Sequence, residues 1–382
     1  MQFFGSYAIE GALVTAGARA APLPLRAEHQ EIWRRPGTYA AFPLAERLPD
    51  GRLAVAWLMN EAGYRDHYGT ADWPVLVSGD AGTSWTPVAG ADPAVPFSWP
   101  GSSPRERYDR IAAALPDGTL VAAGAVVWTA WPAAREEEAR RAGLAVAPHP
   151  SGRPDTVMVG GHRLFVQRSS DGGRTWQREE RELPAARGVN GFPRATVLRD
   201  GTFLGPAYEH APDRPEQGRT LVLRSDDAGT TWRLRTVGAG PAFGDEAALA
   251  ETAPGRVLAL LRRASPGYLA ECWSDDGGRT WSAPLQTAIW GFPPQLLTLR
   301  DGRLLCSVGV RREPFGVRAV ISADGGRSWD VAHPAVLRAD GETRDLGYPV
   351  SVQLDDASIF TVYYHTAGGV THVAATRWEL PW

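Results

Sequence analysis

Lysine is missing from this chain: all 40 basic residues are arginine, set against 43 acidic ones for a formal charge of −3 over 382 residues. No basic run recurs, which argues against a nucleic-acid partner, while the near balance of charge leaves an acidic small molecule open. Cysteine is almost absent as well. Cys272 and Cys306 both sit in apolar, strand-like runs where a thiol packs like any small hydrophobe, so disulfides do not organise the fold. No stretch approaches 18 apolar residues, and the opening Met1 to Glu10 lacks a basic start and a long apolar segment. Neither a membrane span nor a leader is therefore expected, and the expected location is cytoplasmic, or secreted if the chain is a processed form. The eight histidines are scattered, with no His-x-x-x-His pair, no Cys-x-x-Cys and no phosphate-cradling glycine run between a strand and a helix. Chemistry without metal or cofactor is the expectation.

What the chain has is repetition. Ser78-Gly-Asp80-Ala-Gly82-Thr-Ser84-Trp85 recurs as Ser169 to Trp176, Ser225 to Trp232, Ser274 to Trp281 and Ser322 to Trp329, five copies of Ser-x-Asp-x-Gly-x-Thr/Ser-Trp. Asp accepts hydrogen bonds from its own turn, Gly supplies positive φ, and Trp returns to an apolar layer. A second repeat lies upstream of each copy. Leu48-Pro-Asp-Gly51, Leu115-Pro-Asp-Gly118, Leu198-Arg-Asp-Gly201, Ala253-Pro-Gly255, Leu299-Arg-Asp-Gly302 and Leu354-Asp-Asp-Ala357 each divide two short apolar, β-branched runs, the signal of a tight hairpin. The later copies stand about 48 residues apart, which suits a four-stranded sheet with its turns.

Six such units predict an all-β chain, a six-bladed β-propeller of four-stranded antiparallel blades forming one domain over 1–382. A β-sandwich is the runner-up, although it does not demand the same turn chemistry in every unit. Tyr7 to Val14 has no hairpin of its own and is expected to supply the outer strand of the last blade, closing the ring. One insertion, 129–160, interrupts the second blade. Glu136 to Arg140 and Glu137 to Arg141 stand there at i,i+4 spacing, which reads as a short exposed helix or as a lid over a blade tip.

A propeller gathers residues from every inner strand at one face. Eight residues before the turn Asp, or before Pro254 in the fourth unit, stand Phe42, Asp109, Phe192, Glu246, Pro293 and Tyr348. Glu246 and Tyr348 thus hold equivalent positions. On these residues the chain resembles the sialidase (neuraminidase) superfamily, whose repeated turn is the Asp box and whose likeness covers essentially the whole sequence. Binding and structural proteins carry the same box, so the box itself speaks for the fold, and Asp80, Asp171, Asp227, Asp276 and Asp324 are expected to be scaffold.

The resemblance implies a retaining exo-glycosidase acting on an acidic, sialic-acid-like sugar. Tyr348, in Gly347-Tyr348-Pro349, would be the nucleophile and Glu246 its base; a neutral phenol suits an anomeric carbon that bears a carboxylate. Asp66, on the loop Glu61 to Asp72, would be the acid/base, with His67 beside it a substrate contact or a solvated residue. Arg262 and Arg311 end the second strands of the fourth and fifth units and would grip the substrate carboxylate, strand alternation favouring Arg311 over Arg312. The family's first-strand Phe/Tyr-Arg-Ile-Pro is Ala40-Ala41-Phe42-Pro43 here, so that Arg is absent and a charge-assisted bond of about 1.5–3 kcal/mol with it. Arg110, in Tyr108-Asp-Arg110-Ile111, looks like a displaced copy on the second unit and is a further candidate for substrate binding.

Two other readings stay open. A polysaccharide lyase or uronic-acid-linked glycosidase on the same scaffold would draw its base from Tyr363-Tyr364-His365 or Glu209-His210. A carbohydrate-binding propeller without turnover would use Trp73, Trp128, Trp131 and Trp290 as its rim.

Overall fold

The computed structural model describes residues 25–61, 72–90, 92, 94–99, 110–115, 117–149, 152–182, 189–191, 195–209, 217–263 and 265–380. They form six antiparallel sheets, each open at its edges, in which most neighbours are consecutive in sequence, the pairing of Ala27–Trp33 with Val370–Trp378 being the long-range exception. The fourth sheet is typical: Ala247–Ala253, Arg256–Leu261, Tyr268–Ser274 and Leu285–Trp290 lie side by side in that order. Among the described residues α-helix is confined to Glu136–Arg141, and no helix is long and apolar enough to cross a membrane.

All six expected hairpins join the first strand of a sheet to its second. In five of them the Leu N–H bonds the carbonyl four residues on, at 2.8 Å each: Leu48 to Arg52, Leu115 to Thr119, Leu198 to Thr202, Leu299 to Arg303 and Leu354 to Ser358. The turn Asp accepts the N–H two residues ahead, as Asp50 does from Arg52 at 3.1 Å and Asp301 from Arg303 at 3.0 Å. The fourth turn has no Asp, and Glu251 takes over by accepting the Gly255 N–H at 2.9 Å. Gly occupies the left-handed position at φ between 71° and 90° in five turns; in the sixth, Ala357 is held there at φ 69°.

The repeated Ser-x-Asp-x-Gly turns join third strands to fourth. In the fourth sheet, Ser274 Oγ donates to Asp276 Oδ1 and accepts the Gly278 N–H, both at 2.8 Å, while Thr280 donates its N–H to Oδ1 and its hydroxyl to Oδ2 at 2.9 and 2.6 Å. The other four copies repeat this scheme. Each carboxylate is consumed by its own turn. The Gly meets a further demand besides positive φ, because the turn presses on the second strand of the preceding sheet. A Cβ on Gly229, Gly278 or Gly326 would stand 3.0, 2.9 or 2.5 Å from Val121, Leu204 or Leu258, and one on Gly82, in the first sheet, would stand 2.7 Å from Phe360 of the sixth. The turn Trp enters the same seams: Trp232, Trp281 and Trp329 pack against the clusters that contain Val121, Leu204 and Leu258, and the Trp85 ring lies 6.1 Å from that of Phe360. Through these turns the third, fourth and fifth sheets pack on their predecessors and the first packs on the sixth, while the sixth meets the fifth in a cluster that holds Leu305, Val317, Ile359 and Tyr363.

One expectation needs correction. The outer strand of the sixth sheet is Ala27–Trp33, paired with Val370–Trp378 from Ala27↔Trp378 to Trp33↔Val373, and Tyr7 to Val14 lies outside the described residues. The insertion is also continuous with the second sheet. Strands Leu120–Pro132 and Thr156–Ser169 run on into it as a long hairpin, which Val146–Pro148 joins and the Glu136–Arg141 helix tips. The Glu136–Arg140 pair forms at 2.7 Å, whereas Glu137 and Arg141 remain 4.0 Å apart.

Beneath the sixth sheet, His365 and His372 are buried with their rings 5.8 Å apart, and Arg338 Nη2 lies 3.1 Å from His365 Nε2. Burial, and then the charge of Arg338, push the His365 imidazole down to about 4, and burial lowers His372 as well. Both stay neutral in the folded chain over a range where an unfolded chain, with histidine near about 6.5, takes up protons. Stability is therefore complete above pH ~6.5 and falls as the pH drops toward ~4. Melting curves across that window are expected to show this slope, and His365→Gln to flatten it. Separately, Ala357→Gly should raise unfolding free energy by up to about 1 kcal/mol in urea titrations, since it relieves a left-handed Ala.

Candidate active site

The start of every first strand and the end of every second strand lie at the end of a sheet opposite its turns. The side chains that collect there come from the fourth, fifth, sixth and first sheets. Glu246 directly precedes the first strand of the fourth sheet, and the Arg262 N–H, bonded to the Glu246 carbonyl at 2.8 Å, continues the ladder one step past Leu261. Tyr348 is the second residue of Gly347–Gln353, and its hydroxyl donates to Glu246 Oε1. Arg262 Nη1 donates to Glu246 Oε2 at 2.7 Å, and its Nε lies 3.0 Å from Asp245 Oδ2, close enough for attraction but off line for a hydrogen bond.

Two carboxyl groups of opposite habit stand next to one another here. Burial works to raise Glu246, but the charge of Arg262 and hydrogen bonds from Asp245 and Tyr348 outweigh it and hold the group at about 2. Asp245 moves the other way: burial and the negative Glu246 push it up to about 8 against the pull of Arg262. Burial and mutual repulsion thus favour the neutral form of Asp245, while Arg262 and Tyr348 favour the carboxylate of Glu246 beneath the phenol.

Arg311 stands beside this group. Its Nε donates to the Leu346 carbonyl at 3.1 Å and its Nη2 to the Tyr364 hydroxyl at 3.2 Å, and among the described residues it forms no ion pair. The Tyr364 hydroxyl in turn donates a hydrogen bond to Asp345 at 2.9 Å, where Tyr39 of the first sheet also donates at 3.1 Å. Aromatic rings fill the remaining space. Phe42 meets Tyr348 edge-on at 4.8 Å and Tyr364 at 5.4 Å, and Phe292 lies 4.7 and 5.5 Å from the guanidinium carbons of Arg262 and Arg311.

Phe42 and Tyr348 share a backbone device. Both take left-handed angles, φ 54° and 47°, immediately before a proline, and strand pairing shifts register at each, between Ala41 and Leu44 and between Gly347 and Val350. A left-handed non-Gly residue costs about 1–3 kcal/mol and persists only where its surroundings over-determine it. The bulge re-aims the ring off the sheet. An aromatic-Pro pair stands at the same offset in three units, as Phe42-Pro43, Phe192-Pro193 and Tyr348-Pro349, and Phe292-Pro293 lies one residue earlier in the fifth. That was the sequence signal available for the aromatic wall, and Tyr348 is the one member of the set with a hydroxyl.

Of the sequence candidates, Glu246, Tyr348, Arg262 and Arg311 come together. Asp66 and His67 lie outside the described residues, and Arg110 begins the first strand of the second sheet. Tyr39, Asp245, Asp345 and Tyr364 join the cluster without having been anticipated in these places. Of the alternative bases Tyr364 stands in the cluster, whereas Glu209 is held by Arg219 through two bonds of 2.6 and 2.7 Å, Tyr363 bonds Thr376 at 2.7 Å, and His365 is sealed in the core. His210 lies outside the described residues. Trp73, expected at a rim, is buried.

A family model described as the BNR repeat-like domain matches residues 144–362, more than half of the chain. The chain belongs to the BNR repeat-like family. This BNR repeat-like protein is 27% identical over 212 residues to a sialidase of Micromonospora viridifaciens, a match that takes in 47% of the chain and only 33% of that relative. The chain thus spans about a third of that relative's length. Among solved structures, a protein of unknown function from Dyadobacter fermentans DSM 18053 superposes with a TM-score of 0.71 at 27% identity, over 92% of this chain and 98% of that one. The intramolecular trans-sialidase of Ruminococcus gnavus in complex with oseltamivir carboxylate gives a TM-score of 0.59 over 90% and 94% of the two chains; at 15% identity that likeness is one of fold.

The neutral form of Asp245 gives a direct readout. In parent protein at pH 7, infrared difference spectroscopy should find one protonated carboxyl that titrates near pH 8, and Asp245→Asn should remove it.

Proposed function

We propose that this chain is a retaining exo-glycosidase of sialidase type, acting on a sugar that carries an acidic group, its six sheets being the blades of one propeller. The observation that carries the reading is the Tyr348 hydroxyl donating to a Glu246 carboxylate that Arg262 keeps ionised. In the first step the Tyr348 oxygen bonds to the anomeric carbon while the glycosidic C–O bond breaks. The phenolic proton passes to Glu246, and the leaving alcohol takes a proton from Asp66. Water, deprotonated by Asp66, then displaces the Tyr348 oxygen, which recovers its proton from Glu246, so two inversions give net retention.

Arg262 and Arg311 divide the cationic work. Arg262 is already bonded to Glu246, whereas Arg311 has only neutral partners and offers its charge to a substrate carboxylate. His67 and Arg110 are proposed as further substrate contacts. Where the sialidase pattern has its first arginine, Ala41 is buried and Phe42 turns its ring onto Tyr348. That favours a sugar with an apolar face on this side, and keeps a uronic-acid-linked glycoside as the second substrate reading.

The test sets fluorogenic sialosides and glucuronides against parent, Tyr348→Phe and Arg311→Gln. Turnover in the parent, at least about a hundredfold lower in Tyr348→Phe, is the expected outcome. Inert parent protein, or an unimpaired phenylalanine variant, would remove the nucleophile. Ultraviolet absorbance from an unsaturated product would show elimination in place of hydrolysis.

A further inference from the structure

Most guanidinium groups of the described chain lie within 4 Å of a carboxylate, as in the pairs Arg47–Asp355, Arg219–Glu209 and Arg377–Asp356. Arg263, Arg312 and Arg318 belong to those with no such partner among the described residues; Arg312 lies on Trp290, Arg318 within reach of the charge of Arg312, and Arg263 on Gln286 of the strand that ends at Trp290. The guanidinium carbon of Arg312 lies 3.9 Å over the Trp290 ring. Arg318 feels both its burial and the like charge of Arg312, which together hold it below its ordinary value. Arg263 donates to Gln286 at 3.0 Å, and its Nε is buried without a partner.

The platform beneath these charges is rigid. Trp290 Nε1 donates to the Pro266 carbonyl at 3.1 Å, and the chain passes so close that a Cβ on Gly267, at φ +90°, would stand 2.8 Å from that nitrogen. Trp290 also adjoins the candidate active site, its ring 6.0 Å from Phe292, which in turn lies against Arg262 and Arg311. A row of alternating rings and guanidinium groups therefore leads from Tyr348 to Arg312. Like charges gathered without a counter-ion, in a chain of net negative charge, raise the local potential for an anion and await one.

We propose that Arg312 and Arg318, with Arg263 and the Trp290 platform, form a second anion subsite that binds a carboxylate or sulfate on a neighbouring unit of the same glycan. The site then prefers oligosaccharides with two acidic groups over those with one. The proposal rests on the Tyr348 centre taking the first sugar unit.

The experiment uses the full chain with Tyr348→Phe to prevent turnover, and calorimetry with three probes: N-acetylneuraminic acid, its α2,8-linked dimer, and sulfated sialyllactose. The two dianionic probes should bind about tenfold or more tightly than the monoanionic one, in line with one added charge-assisted contact. Arg312→Gln combined with Arg318→Gln should erase that gain and leave the monoanionic affinity unchanged. A gain with the dimer alone assigns a carboxylate, and one with the sulfated probe alone assigns a sulfate. Equal affinities for all three probes, or a gain that survives the double substitution, overturn the subsite. If no sugar binds, the reading of the Tyr348 centre has failed, and inorganic sulfate still examines the arginines. At matched ionic strength it should raise the melting temperature of the parent more than that of the double variant, and equal shifts would overturn the subsite.

Discussion

Everything in this molecule leans on the approach of one glycine to the strand behind it. In the repeated turn that glycine sits against Val121, Leu204, Leu258 or Phe360 with no room for a methyl group, and the Trp three residues on fills the seam beside it. The hydrogen-bonded Ser and Asp make the turn stiff enough to deliver that contact at a fixed angle. Repeated in the first, third, fourth and fifth sheets, the contact fixes each of these on its neighbour, and at the far ends of the strands groups a hundred residues apart, such as Glu246 and Tyr348, meet. Turn and site occupy opposite ends of one lever.

The electrostatics of the site follow from burial combined with an uneven sharing of two arginines. Arg262 is committed to Asp245 and Glu246, and the carboxylate it stabilises is the one under the phenol. Arg311 is tethered by a carbonyl and a phenol, neither of which cancels its charge. Asp345, which ties Tyr39 to Tyr364, holds the first sheet to the sixth at the same level. Buried polar groups connected in this way specify geometry, because any misplacement leaves a donor or an acceptor without a partner.

What could be read from the sequence was local chemistry and its period. Both sets of turns were legible, since Asp, Gly and Leu act within five residues of one another. Equivalence between repeats then put Glu246 and Tyr348 at matching positions, and strand alternation chose Arg311 over Arg312, whose side chain lies on Trp290. The closing strand was assigned to Tyr7 to Val14 because that stretch has no hairpin of its own. Ala27–Trp33 is an edge strand with a charged, half-exposed face, and its alternation is too weak to stand out. The bonds from Tyr39 and Tyr364 to Asp345 depend on how sheets far apart in the chain come together, and no short pattern announces that.

The pairing of Ala27–Trp33 with Val370–Trp378 has a bearing on how the chain is made. His29 bonds Thr376 across 347 positions, so the first of these strands waits without a mate while the other five sheets are translated. During that interval its unpaired edge is open to other chains, and Gly82 and Trp85 have no Phe360 to rest against. Entropy adds little to the delay, because the cost of closing a loop grows only with the logarithm of its length. Synthesis delivers the partner strand late, and in a chain that stalls before residue 370 Ala27–Trp33 has no Val370–Trp378 to pair with.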